Sequence, residues 1–526
     1  MSDHFDVIGS RARRKDAPDK ATGAAVYLED LKFPGELAGA LLQSPLPHAR
    51  ILKIDAAKAR NLPGVKAVLT HADVPAIKYG VSPARYDENL FAVDKVRYVG
   101  DEVAAVAAVD LATAQEAASL IEVEYEPLPH VLTPAEAMAE GAPLLHEDFP
   151  GNICAEVQQE FGKVDEALAA CDVVQEGWFT SKKQDAAFIE PNQCVAVPDL
   201  EGRLILYSST QVPHYVQRTL AMVTGLGMSK VRVVKPYVGG GFGPKASATP
   251  IDLASSFLAL ATGRPVRMAY TREQVFLFSR ARHAFVHHMK IGAKRDGSVV
   301  VLDHEAMLDG GAYSSFGIAT VYYAGSLLGG PYRMPHMRYH GRRVYTNKPA
   351  CGAQRGHGGV IARALFEQQL DLVAEKLGMD PIELRLKNMM ETGQVTCNDL
   401  AMSSLGMRQC IEAVRDGADW QAKKGKLPKG KGIGMACGFF VSGAGYPIYR
   451  SETYHCTVSI KADEDGGGVM VSTAAAEIGQ GSDTTMAMIA AEGLGIPYAD
   501  VRLQSGDTNY GIDLGAYSSR TTLMTG

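Results

Sequence analysis

No two cysteines of this chain stand in a C-x-x-C pair; the eight thiols, at 154, 171, 194, 351, 397, 410, 437 and 456, are scattered. That spacing argues against a zinc site or an iron–sulfur cluster on this chain. Scattered cysteines in a long chain fit a reducing cytoplasm better than a disulfide scaffold. Long apolar runs are missing as well, so no bilayer span is expected. The opening "MSDHFDVIGSRARRKD" has basic residues but no apolar stretch behind them, which speaks against a secretory signal. Positive charge is not in excess: 53 Lys and Arg against 59 Asp and Glu give a net charge of −6. Neither nucleic acid nor an anionic membrane is therefore an expected partner.

What is there is ordinary for a soluble globular protein: 46% hydrophobic and 21% charged residues in 526, enough for two to four domains. Glycine is plentiful at 54 residues, a sign of many tight turns and surfaces lined by bare backbone. Residues 1–140 alternate strand-like runs (66–70, 103–109) with a helix-like one (111–121), which reads as a compact α+β unit. Farther on, "CVAVPDLEGRLILYSS" predicts a hairpin turned at Glu201–Gly202, and "GSVVVLDHEAML" a strand after the turn "RDGS". Apolar spacing predicts a helix over 361–377 that stops at Gly378. The "DPIE" that follows predicts a new helix with Asp380 as N-cap, Pro381 in the first turn and Glu383 closing a capping box.

The stretch "VGGGFGPK" (238–245) follows a strand-like run and invites a test as a phosphate cradle. It fails as G-x-G-x-x-G because Pro244 stands where the third glycine belongs. It fails as a P-loop because Pro244 again replaces a glycine and Ala246 follows Lys245. A loop that brings bare backbone close to something survives, with Phe242 thrust forward; a purely structural turn is an equal alternative on this stretch alone. Three further loops shift the balance: "CGAQRGHGG" with Arg355, "AEIGQGSDTT" with Gln480, and the hydroxyl-rich "GAYSSRTT". Together they offer amide, hydroxyl and guanidinium donors, as a large oxygen-rich cofactor requires.

The ordered set "GGGFG", "QRGHGG", "EIGQG" and "GAYSSRTT" resembles the molybdenum-binding large subunit of the xanthine dehydrogenase/aldehyde oxidase family, over essentially the whole chain. "KATGAAVYLEDLKFPGELAGALLQSPLPHARI" resembles that family's α/β hammerhead domain. The resemblance implies an α+β fold with a hammerhead domain over 1–140. Elongated mixed α/β molybdopterin-binding domains over 141–400 and 401–526 would follow, the last expected to be cut short. It implies that Gln211 contacts an oxygen on molybdenum and that the Gly241, Phe242 and Gly243 loop turns a backbone amide toward one. Arg355 would stand beside the metal, while Ile478, Gly479, Gln480, Ser518, Ser519 and Thr521 would contact the pterin. No side chain is expected to ligate the metal, because the pterin's dithiolene sulfurs hold it and the protein supplies the surrounding shell.

Departures from the family pattern bear on the substrate. Purine-oxidising members carry a glutamate where this chain has Ala246 and an arginine where it has Tyr323, and carbon monoxide dehydrogenases carry a cysteine where it has Gly356. "PACGAQRGHGG" with the pair Tyr322 and Tyr323 is most similar to the 4-hydroxybenzoyl-CoA reductase α subunit. That implies reductive dehydroxylation of an aromatic acyl-CoA, with Arg355 and Tyr323 as catalytic residues and Tyr323 as proton donor or hydrogen-bond partner. A packed core tyrosine is the plainer reading of Tyr323. His357 is a second candidate donor, with packing beside the glycine turn as its equal alternative. Other expectations are a hydroxylase of aldehydes or N-heterocycles, or a truncated subunit acting only in assembly. The family's general-base glutamate is expected beyond residue 526, and Glu477 stands where the family has a structural residue. The resemblance further implies a cytosine dinucleotide form of the cofactor, a small [2Fe–2S] partner, an FAD-bearing partner and a dimer of heterotrimers.

Overall fold

All seven residues of the strand Glu102–Ala108, sequence EVAAVAA, are buried, because side chains this small leave room for a helix on each face of the sheet. Successive side chains point to opposite faces. Ala105 and Ala107 join the core that includes the helix Pro250–Thr262. Ala104 and Val106 join the core that includes the helix Leu111–Ser119. The structure, a computed structural model, describes residues 4–81, 85–440, 457–463, 468–511, 513 and 525–526. Among them no helix is long and apolar enough to cross a membrane.

The strand belongs to a seven-stranded sheet in the order Val231–Val234, Leu204–Ser208, Gln193–Pro198, Val266–Ala269, Leu37–Gln43, Glu102–Ala108, Val65–Thr70. Residues 1–140, expected as a compact unit, thus share their main sheet with later residues: Leu37 pairs in parallel with Val266. The hairpin predicted at Glu201–Gly202 forms, with Cys194 opposite Ser208. The strands Leu204–Ser208 and Val231–Val234 run parallel, so the segments that leave them, 209–212 and 235–249, emerge on one side.

A five-stranded sheet, in the order Val173–Ser181, Phe285–Ala293, Val299–Asp309, His336–Val344, Ile153–Phe161, carries the second large core. The predicted strand after "RDGS" is Val299–Asp309. It runs parallel to His336–Val344, and the helix Gly317–Ser326 lies in the crossover between them. Fully buried Arg343 ties this crossover to the segment that follows the strand. Its guanidinium donates to the carbonyls of Gly310 (2.7 Å), Tyr313 (2.9 Å) and Cys351 (3.2 Å). The long predicted helix spans Gly359–Leu377 and ends at Gly378 in the left-handed region, φ 65°. Its successor, Pro381–Asn388, is capped by Asp380, which accepts from the Ile382 N–H at 2.8 Å. The reciprocal bond, from the Asp380 N–H to the Glu383 side chain, does not form; the second oxygen of Asp380 accepts the Trp420 indole N–H at 2.9 Å, a tertiary contact no local pattern shows.

A three-stranded sheet, Ser459–Ala462, Val469–Thr473, Val501–Ser505, packs against the helix Ser482–Leu494. It docks on the first sheet through Arg232 and Asp507, paired 2.5 Å apart, and through Val233 donating to Thr508 at 3.0 Å.

Where the first two sheets meet, Glu88, Asp101 and Glu102 are buried together. Arg280 pairs with Glu88, the Tyr98 hydroxyl bonds Glu102 at 3.3 Å, and the Tyr313 hydroxyl bonds Asp101 at 3.1 Å. Burial pushes Asp101 up to about 7 and Glu102 up to about 8. Unfolded carboxyls release their protons near pH 4, so between about pH 4 and 8 the folded chain binds more protons than the unfolded one. Stability drawn from these groups is full below that window and is lost as the pH rises through it. Thermal midpoints measured from pH 5 to 9 are expected to fall with pH, and Asp101→Asn is expected to flatten the fall; an unchanged slope contradicts the assignment.

Candidate functional site

Lys245 is the hub of the glycine loop. Its side chain is fully buried, and its ammonium donates to the Glu190 carbonyl (2.8 Å) and to the Glu190 carboxylate (3.1 Å). The same carboxylate accepts the Gly239 N–H at 2.7 Å, at the start of the loop. The backbone carbonyl of Lys245 accepts the Gln211 N–H at 2.9 Å. One residue therefore couples the turn after one strand to the loop after its parallel neighbour. Burial lowers the Lys245 pKa to about 8, against the pull of Glu190. Sequence reasoning weighed this lysine only as a failed phosphate binder; its partner Glu190 carries no local signal, because the pair forms across 55 residues of chain.

On this base the predicted residues Gln211, Gly241, Phe242, Gly243 and Arg355 converge. The Gly243 N–H donates to the Gln211 side-chain oxygen at 2.8 Å, and a Cβ on Gly241 would stand 2.5 Å from that oxygen. Gln211 and the loop amide thus bond each other, leaving the Gln211 side-chain nitrogen with no acceptor among the described residues. Gly243 sits at φ 113°, and a Cβ there would stand 2.5 Å from the Ala353 carbonyl. Phe242 takes φ 53°, a costly conformation for a bulky residue that persists only where its surroundings impose it. Here they do: the Phe242 carbonyl accepts the Arg355 N–H at 2.8 Å, and the ring, 42% exposed, lies 5.4 Å from the Arg355 guanidinium.

The Arg355 loop is braced by Arg282, which donates to the Gln354 side chain (2.8 Å) and to the Arg355 carbonyl (2.6 Å). Neither arginine has a carboxylate partner among the described residues, and the burial of Arg282, with the Arg355 charge beside it, lowers the Arg282 pKa. Two cations and one unsatisfied amide nitrogen with no acid against them attract an anionic, oxygen-rich group. Tyr323 and His357 come together with this loop. Their rings are 5.5 Å apart, and His357 bonds the Thr320 hydroxyl at 2.5 Å. Tyr323 is 4% exposed and packs among Leu327, Met390, Leu400 and Met402.

The 478–481 loop is built differently from the expectation of free donors. The Glu477 carboxylate accepts the N–H groups of Gly479 (2.7 Å) and Gly481 (3.0 Å). The Gln480 side chain accepts from Ile478 N–H (2.7 Å) and donates to the Ala476 carbonyl (2.9 Å). Glu477 is therefore consumed in holding the turn, in keeping with its reading as a structural residue. Lys235, at the stem of the glycine loop, donates to the Glu477 carbonyl at 2.8 Å and ties the two loops together. Ser518, Ser519 and Thr521 lie outside the described residues. Among the described residues no three His, Cys, Asp or Glu side chains group to hold a metal. The site fits a group that brings its own metal ligands and takes hydrogen bonds from the protein.

Comparison with known proteins points the same way. A molybdopterin cofactor-binding domain matches residues 145–389, and a second domain so described matches 409–526. The a/b hammerhead domain of aldehyde oxidase and xanthine dehydrogenase matches 22–129. The putative xanthine dehydrogenase molybdenum-binding subunit of Escherichia coli is 32% identical over 97% of this chain and 69% of its own length. The nicotinate dehydrogenase large molybdopterin subunit of Eubacterium barkeri is 36% identical over 80% of this chain and 98% of its own. The structure of quinoline 2-oxidoreductase from Pseudomonas putida 86 superposes with a TM-score of 0.91 at 31% identity, over 99% of this chain and 69% of that one.

Lys245→Met leaves the Glu190 carboxylate buried without a cation, which typically costs about 3–5 kcal/mol. A lowered denaturant midpoint is expected, largely recovered when Glu190→Leu is added; full stability of the single variant contradicts the hub role.

Proposed function

Because the chain belongs to the xanthine dehydrogenase and aldehyde oxidase family as a molybdopterin-binding large subunit, we propose that it is the hydroxylating subunit of an enzyme acting on a small N-heteroaromatic compound. The observation that carries this reading is the convergence of Gln211, Phe242 and Gly243 with Arg355 on one positively charged face. The names of the E. barkeri and P. putida relatives support the substrate class. Ala246 is buried, with its N–H given to the Gly243 carbonyl at 2.9 Å. It offers no carboxylate to a purine.

Molybdenum on its pterin, when bound, would supply the two-electron acceptor for converting a ring C–H and water into C–OH, two protons and two electrons. The chain's own residues bind and orient. The free nitrogen of Gln211 and the Arg355 guanidinium would hold the cofactor's oxygens, and the Phe242 ring would cap them. The turn at 478–481 would face the pterin, with Ser518, Ser519 and Thr521 as further contacts. His357 and Tyr323 would border the substrate ring. We further propose a cytosine dinucleotide on the pterin and electron transfer to a small [2Fe–2S] subunit and an FAD subunit. Assembly as a dimer of heterotrimers in the cytoplasm completes the reading.

A reductive dehydroxylation of 4-hydroxybenzoyl-CoA rests on Tyr323, whose ring lies 5.5 Å from that of His357, the second residue after Arg355. The complex with its partner subunits is to be offered N-heterocycles with a dye acceptor, and 4-hydroxybenzoyl-CoA with a strong reductant. Turnover of the first is expected; turnover of the second alone replaces the hydroxylase reading. A complex free of molybdenum and pterin points to a role in assembly only.

Two sets of variants test the residues. Arg355→Ala is expected to lower kcat by about 100-fold or more, and Tyr323→Phe by roughly tenfold if its hydroxyl takes part; unchanged rates in both sink the site. Gly241→Ala, which drives a carbon against Gln211, is expected to keep its circular dichroism while losing molybdenum per chain. Full metal content in that variant contradicts the role given to Gln211.

A further inference from the structure

A cavity of about 460 Å³, taken to its open mouth, lies between the helix Pro213–Thr224, residues Ser247 and Ala248, and the hairpin of Tyr79–Val81 with Arg85–Glu88. Val81, Tyr86, Tyr215 and Met222 form apolar and aromatic walls, and Arg218 and Ser247 are polar lining groups. Its position follows from the chain. The helix begins two residues after Gln211, and Ser247 comes two residues after Lys245, whose carbonyl holds the Gln211 N–H at 2.9 Å. Tyr215 stands 6.4 Å from the Phe316 ring, and Phe316 meets His357 edge-on at 6.3 Å. A row of three rings therefore runs from the cavity wall to the Arg355 loop.

Arg218 is held in place from two sides. Its guanidinium lies 4.5 Å from the Tyr215 ring, and its Nε lies 2.9 Å from the Asp513 carboxylate. About a third of the side chain, 35%, stays exposed, and Arg218 lines the cavity. A guanidinium fixed against an aromatic ring at the edge of an apolar pocket suits a planar molecule carrying one carboxylate. The ring of such a molecule is buried and its charge is met by a pre-oriented guanidinium.

We propose that this cavity is the outer part of the substrate site and that Arg218 makes it selective for planar aromatic acids over their neutral counterparts. This rests on the N-heteroaromatic reading above and adds the charge of the substrate. The pair nicotinate and nicotinamide isolates that charge, since the two differ only in carboxylate against amide.

Calorimetric titration of the purified holoenzyme complex with each compound tests it without turnover. Nicotinate is expected to bind about tenfold more tightly than nicotinamide, the contribution of one charge-assisted hydrogen bond. Arg218→Gln is expected to abolish the difference between acid and amide. Arg218→Lys should keep part of the difference, and Asp513→Asn should widen it. Equal binding of acid and amide by the native complex overturns the proposal, as does a ratio unaffected by Arg218→Gln. A complex that prefers the acid yet hydroxylates neither compound upholds the cavity assignment and removes the N-heterocycle reading instead.

Discussion

A lysine ammonium with no exposed surface, held by the Glu190 carboxylate and carbonyl, is the contact on which the glycine loop depends. Taking two charges out of water is expensive, so such a pair persists only when its geometry and its further hydrogen bonds are good. Here Glu190 also receives the Gly239 and Gln193 donors, and Lys245 receives Gln211 through its carbonyl. The pair is thus less a source of stability than a device for register. It sets where the loop starts, where Gln211 stands, and through Gln211 where the Gly243 amide points.

The strain at Phe242 makes sense on that base. A bulky residue at positive φ costs about 1–3 kcal/mol, and the neighbouring Gln211–Gly243 and Phe242–Arg355 bonds hold it there. Those bonds bring the loops 238–245 and 351–359 into one surface, and Lys235 draws the 478–481 loop toward the same stem. The surface is rich in donors and poor in acids. The protein is charged to receive an anionic group before any is bound, so little reorganisation is needed when one arrives.

Elements whose cause is local were legible. The hairpin at Glu201–Gly202, the strand after "RDGS" and the helix ending at Gly378 each depend on residues within a few positions of one another. The capping box at Glu383 closed only by half: Asp380 accepts the N–H groups of the first turn, and its second oxygen meets Trp420. The joining of the N-terminal strands to a later strand in one sheet had no local sign, because the partner of Leu37 lies more than two hundred residues downstream. Within the site, glycines and Arg355 announced themselves by motif. Glu190, Arg282 and Arg218 did not, since single charged residues look alike until the fold shows what they face.

The sequence by itself determined which backbone could come close to a ligand, through the placement of its glycines. It also places no carboxylate at Ala246, no cysteine at Gly356 and no C-x-x-C pair anywhere along the chain. Tertiary structure alone decided which donors remain free. Gln480 spends its side chain on its own turn, Gln211 keeps a nitrogen without an acceptor among the described residues, and Arg218 meets a cavity. The reason is physical: a hydrogen-bonding group's availability depends on every acceptor that folding brings within about 3 Å, and most of those acceptors lie far away along the chain.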